Sequence, residues 1–141
     1  MFQGAGLLHA YLEGQNIELM ANSDNVLRGG LTTKHVDVDE LLKQVQFVPT
    51  YPKVLKGEVL NEFETVYPCP VPDFGLTKIA IPVSKTYTIN TQSLEMLLVT
   101  EGEILLGEML LKVGEVAMLP AGQSIVLTAK RPSVLFKSYV P

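Results

Sequence analysis

One run near the start of the chain, LLHAYLEGQNIELMANSDNVLRGGLTTK, collects His9, Tyr11, Glu18, Asp24, Arg28 and Lys34. Imidazole ligates metals and moves protons. A held guanidinium stabilises a developing oxyanion without reorganising, and lysine and arginine grip phosphate oxygens. Strand alternation puts His9 and Tyr11 on one face and Leu8, Ala10 and Leu12 on the other. One face is then apolar and the other chemical, as on the inner wall of a barrel. Glu18 alternates in the same way between Ile17 and Leu19, and Arg28 directly precedes Gly29 and Gly30. Singly, each has a plain reading. A lone histidine is usually a hydrogen-bonded structural residue, and lone arginines are mostly solvated or paired at the surface. His35, the only other histidine, reads as a surface residue.

The elements that must hold these residues are mostly strands. The chain has 141 residues, 47% hydrophobic and 18% charged, which suits a globular protein of one domain or little more. Nine prolines and eleven glycines punctuate runs of Val, Ile, Leu, Thr and Tyr. Strands are expected at 8–12, 17–20, 58–66, 76–81, 85–89, 95–100, 103–106, 109–112, 116–119, 124–129 and 133–139. One helix interrupts them. In DVDELLKQV, Val38, Leu41, Leu42 and Val45 form an apolar stripe at helical spacing. Asp37 serves as N-cap and Glu40 completes a capping box. The stripe is expected to pack on the sheet that follows. Two prolines in VPTYP mark a connection, so the chain divides into 1–48 and 49–141.

The net charge of −4 and pI of about 5.1, with no basic patch, disfavour nucleic acid as partner. No apolar run approaches the ~18 residues of a membrane span, and the first residues lack the pattern of a signal peptide. The single cysteine, Cys69, lies between Pro68 and Pro70. One thiol makes no internal disulfide, so a cytoplasmic location is the simplest setting.

In the second half, Glu95 and Gly102 of EMLLVTEG and Gly114, Pro120 and Gly122 of GEVAMLPAGQSI are spaced as in the two motifs of a cupin, a jelly-roll β-barrel. The resemblance is to a cupin without its metal. Thr88 and Asn90 stand where the first motif has histidines, and Ile125 stands where the second has one. Turn glycines and a turn proline serve the backbone whether or not a metal is bound.

The opening run shows the opposite pattern. Gly6 followed by His9 resembles the end of the second motif with its histidine present. HAYL, then the glutamate, SDN, VLRGGLT and Lys34, then the helix, resembles the signature of type I mannose-6-phosphate isomerases, zinc-dependent enzymes of the cupin superfamily. Two positions depart from it: Leu8 and Thr33 stand where that family commonly has proline. Neither departure removes a reactive group. The implied fold is all-β: a cupin-type jelly-roll β-barrel with one short helix, preceded by N-terminal strands from a second, incomplete cupin. Residues 1–48 would be the C-terminal part of the catalytic cupin, and 49–141 a metal-free C-terminal cupin domain.

The resemblance implies that His9 is a zinc ligand and that Arg28 is the catalytic residue stabilising negative charge on the sugar. Tyr11, Lys34, Glu18 and Asp24 would bind or support substrate. The reaction would interconvert mannose 6-phosphate and fructose 6-phosphate through an enediolate, with zinc as Lewis acid. The family's zinc has four protein ligands, a Gln, two His and a Glu, and only His9 matches one of them here. Zinc needs about three or four ligands, so this chain alone is expected to hold no zinc stably and to show little or no activity. Its expected partners are the sugar phosphate and either a second copy, through exposed N-terminal strands, or an N-terminal isomerase part. The alternative is a non-catalytic cupin module for assembly or sugar binding.

Overall fold

The computed structural model describes residues 1–22 and 26–141. They form two compact units, Met1–Val54 and Leu55–Pro141.

The first unit contains helix α1, Val38–Gln44. The Asp37 side chain caps it by accepting the Glu40 amide at 3.0 Å. Only half of the expected capping box forms. The Glu40 carboxylate instead accepts from Lys43 at 3.0 Å and Gln44 at 2.9 Å. Beyond the helix, the Gln46 amide donates to the Gly6 carbonyl at 3.0 Å and its side chain to the Ala5 carbonyl at 3.1 Å. The residues before His9 are thereby tied to the helix exit.

One expectation fails in this unit. Leu8–Leu12 and Ile17–Met20 form no strand. A strand is completed by the amides and carbonyls of a neighbour, and no described segment of this unit supplies a ladder to either. The apolar stripe of α1 does not become core, since none of the helix residues is buried.

The second unit holds ten strands: β1 (Glu58–Val59), β2 (Glu64–Tyr67), β3 (Gly75–Ile81), β4 (Thr86–Asn90), β5 (Glu95–Glu101), β6 (Glu103–Leu106), β7 (Met109–Lys112), β8 (Val116–Leu119), β9 (Ser124–Ala129) and β10 (Ser133–Tyr139). They build two antiparallel sheets, ordered β1-β2-β3-β10-β5-β8 and β4-β9-β6-β7. The run expected as one strand over 58–66 is a hairpin. The Asn61 side-chain oxygen accepts the amides of Phe63 at 2.9 Å and Glu64 at 3.0 Å, and this local turn breaks the strand in two.

Alternation along each strand assembles the core. Ile79, Leu97, Val99 and Leu135 come from the larger sheet, and Ile89, Ile104, Leu111 and Leu127 from the smaller. Gly102 makes the turn from β5 to β6 at φ +78°, and a Cβ there would lie 2.2 Å from the Pro132 carbonyl oxygen. Only glycine fits that angle and that approach.

Candidate functional site

In the first unit, His9, Tyr11 and Glu18 are brought together. The His9 and Tyr11 rings meet edge to face, with centroids 5.8 Å apart. The Tyr11 hydroxyl donates to Glu18 Oε1 at 3.0 Å and reaches Gln3 Oε1 at 3.4 Å. Partial burial, then the hydrogen bond to the Glu18 carboxylate, hold the Tyr11 hydroxyl above its ordinary pKa. Tyr11 is therefore a neutral donor. His9 Nδ1 lies 2.9 Å from the Leu7 carbonyl oxygen. A carbonyl only accepts, so Nδ1 carries the proton in this bond, and in the neutral imidazole the lone pair is then on Nε2. Metal-ligating histidines commonly have this support on the other ring nitrogen.

Arg28 is half-buried on a segment that passes beside the histidine run: a Cβ on Gly29 would lie 3.1 Å from Leu8 Cδ2. Lys34 is exposed, with its amide donating to the Thr32 hydroxyl at 3.1 Å. His35 is exposed, and Asp24 lies outside the described residues. Among the described residues no group of three or more His, Cys, Asp or Glu gathers to hold a metal. His9 is one donor, where zinc takes about three or four.

The interior of the second unit corrects the reading of the first cupin motif. Thr88 and Asn90 face outward and are exposed. The inward residues are Ile89 and Thr91, 3% and 2% exposed. The reason is the two-residue period of a strand, which moves every side chain to the other face when the phase slips by one. Ile125, at the position of the second motif's histidine, packs against the same core. Thr91 is not free either. Its hydroxyl donates to the Pro120 carbonyl at 2.7 Å and accepts the Gln123 amide at 2.8 Å, fixing the turn before β9.

A polar cluster in this interior was missed in the sequence. Glu64 is buried and accepts from the Thr77 hydroxyl at 2.8 Å, from the Tyr87 hydroxyl, and from Lys137 Nζ at 2.8 Å. Burial alone would raise the Glu64 pKa, but the bonds from Lys137, Tyr87 and Thr77 outweigh it and hold the carboxyl below its ordinary value. Burial and the bond to Glu64 push Tyr87 up to about 12. Glu95 is also buried, and its Oε2 accepts no hydrogen bond, with Lys137 Nζ 3.7 Å away. The alternation carried the information: Thr77 is in phase with Ile79 and Lys137 with Leu135.

Two antiparallel sheets enclosing one core, with the motif turns in place, define the class of protein as the cupin-type jelly roll found in phosphomannose isomerase. By sequence and by fold, the chain is similar to the C-terminal part of mannose-6-phosphate isomerases. It is 40% identical over 131 residues to the mannose-6-phosphate isomerase of Salmonella typhimurium, matching 89% of this chain and 33% of that protein. It is 35% identical over 147 residues to the enzyme of Rattus norvegicus, matching 96% of this chain and 35% of the relative. A crystal structure of the Salmonella typhimurium enzyme bound to its substrate and to a zinc atom superposes with a TM-score of 0.70 at 32% identity, over 86% of this chain and 32% of that one. No family profile matches the chain. The chain thus spans about a third of the length of the curated relatives it matches.

Proposed function

We propose that this chain contributes part of the active site of a zinc-dependent mannose-6-phosphate isomerase and is inactive without the remainder. The observation that carries this reading is His9. Its Nδ1 donates to the Leu7 carbonyl, which in the neutral imidazole leaves the Nε2 lone pair for a metal, in a chain 40% identical over 131 residues to such an isomerase. His9 supplies one imidazole to a zinc site whose other donors lie on the two thirds of the relatives that this chain does not match.

Arg28 holds the oxyanion that develops on the sugar as a proton moves between C1 and C2. Tyr11, kept neutral, donates to Glu18 and braces the wall beside His9. Lys34 and Asp24 are assigned to substrate binding, where lysine suits a phosphate.

Residues 1–48 act as the C-terminal part of the catalytic cupin, and 49–141 form a metal-free cupin. The exposed Leu12, Leu31 and Tyr51 are the surface that an N-terminal isomerase part covers. We favour that part over a second copy, because the matched relatives are about three times as long as this chain. Among the described residues no helix is long and apolar enough to cross a membrane. The lone thiol suits the cytoplasm.

The test is a hybrid enzyme, the first two thirds of the Salmonella typhimurium isomerase joined to this chain, assayed for the interconversion with zinc present. Turnover by the hybrid, none by this chain alone, and loss on His9→Ala and on Arg28→Ala are expected. A hybrid whose activity survives both substitutions sinks the assignment.

A further inference from the structure

The second unit keeps the glutamate of a cupin metal site but not the histidines. Glu95 faces inward in phase with Leu97 and Val99, while the companion positions hold Ile89, Thr91 and Ile125. Two of these have no lone pair to offer, and the Thr91 hydroxyl is spent on the Pro120–Gln123 turn. A metal does not fit here. Yet the interior holds two carboxylates, Glu64 and Glu95, both nearly inaccessible to water. Buried charges of one sign require a nearby opposite charge.

That charge comes from β10. Lys137 pairs with Thr77 on one side and Leu97 on the other, so its side chain enters between the strands that carry the cluster. Its ammonium lies 2.8 Å from Glu64 Oε1 and 3.7 Å from Glu95 Oε2, and the side chain is 12% exposed. We propose that Lys137 is the resident cation of this barrel. It takes the electrostatic place that a metal holds in a metal-binding cupin and makes the unit independent of metal. One ammonium serves two carboxylates unequally. Glu95 is the less satisfied of the two: its Oε2 accepts no hydrogen bond, whereas Glu64 accepts from three donors.

The experiment is thermal unfolding of the whole chain at neutral pH, with chelator and with added zinc or manganese, for the wild type, Lys137→Met, Glu95→Gln and the double variant. The wild type is expected to unfold at one temperature in chelator and in metal. Lys137→Met should lower that temperature by about 10 °C or more. Glu95→Gln alone should match or exceed the wild type, since it replaces the less satisfied of the two carboxylates. The double variant should recover much of what Lys137→Met loses. If Lys137→Met does not fold, recovery of folding in the double variant supports the same conclusion. The proposal is overturned if chelator destabilises the wild type, if Lys137→Met is as stable as wild type, or if Glu95→Gln fails to rescue it.

Discussion

Ile89 and Ile125 are direct partners across the β4–β9 ladder, an aliphatic pair on the inner wall where a metal-binding cupin of this pattern carries imidazoles. The side chains of this pair therefore contribute by burial. Ile89→Ala should cost about 2–5 kcal/mol in urea unfolding. Thr88→Ala and Asn90→Ala, on the exposed face, should stay within about 0.5 kcal/mol. The reverse ranking would mean that the strand is out of phase with this description.

Gly102 turns at φ +78° with its missing Cβ aimed at the Pro132 carbonyl and the Ser133 hydroxyl. Alanine would add left-handed strain of about 1–2 kcal/mol and a collision with backbone. A loss above about 2 kcal/mol is expected by chemical denaturation, since strain and clash add. A loss below half that would mean the turn relaxes freely.

Glu64 and Tyr87 set the pH limits of the second unit. The Glu64 carboxyl is lowered in the fold, so its contribution is present above the unfolded carboxylate pKa and is lost as pH falls through the lowered value. Tyr87 is raised to about 12, so its contribution is present below the ordinary tyrosine value and is lost as pH rises from there towards 12. A Tyr87→Phe chain should lose about 1–3 kcal/mol at neutral pH, and its remaining stability should be flatter on the alkaline side. Stability measured from about pH 3 to 11 checks both slopes.

Tyr11→Phe removes the hydroxyl that joins the histidine run to Glu18. Tyr11 is exposed, so water screens this bond, and the hybrid isomerase should lose about two- to fivefold in kcat/KM. Glu18→Gln keeps an acceptor and should lose less. Equal activity in all three proteins would place this pair outside the working site.

The strands of the second unit were legible because their apolar residues alternate between turn glycines and prolines, as in LTKIAI and SVLFKSY. The helix was legible from the Asp37 cap and the Val38–Val45 spacing. What failed depended on partners. Leu8–Leu12 alternates as a strand should, but alternation without a neighbouring ladder makes no strand. The apolar stripe of α1 states only that something must cover it, not what. At Thr88 and Asn90 the motif spacing tolerated a one-residue slip that the pleat does not. Lys137 was passed over because a lysine ordinarily marks the wet face of a strand, and only its three-dimensional neighbours explain its burial.

β10 has a kinetic consequence. It lies between β3 and β5, so the middle of the larger sheet is built from pairings that span β4–β9 on one side and β6–β9 on the other. Hairpins can close early, β6–β7 in the smaller sheet and β1–β2 and β2–β3 at one edge of the larger, but the middle of the larger sheet cannot. The larger sheet waits on a long-range encounter, with loop-closure entropy spent before the central contacts form. The second unit should therefore refold in the millisecond-to-second regime of high contact order, with β3 and β5 exposing open edges until β10 arrives.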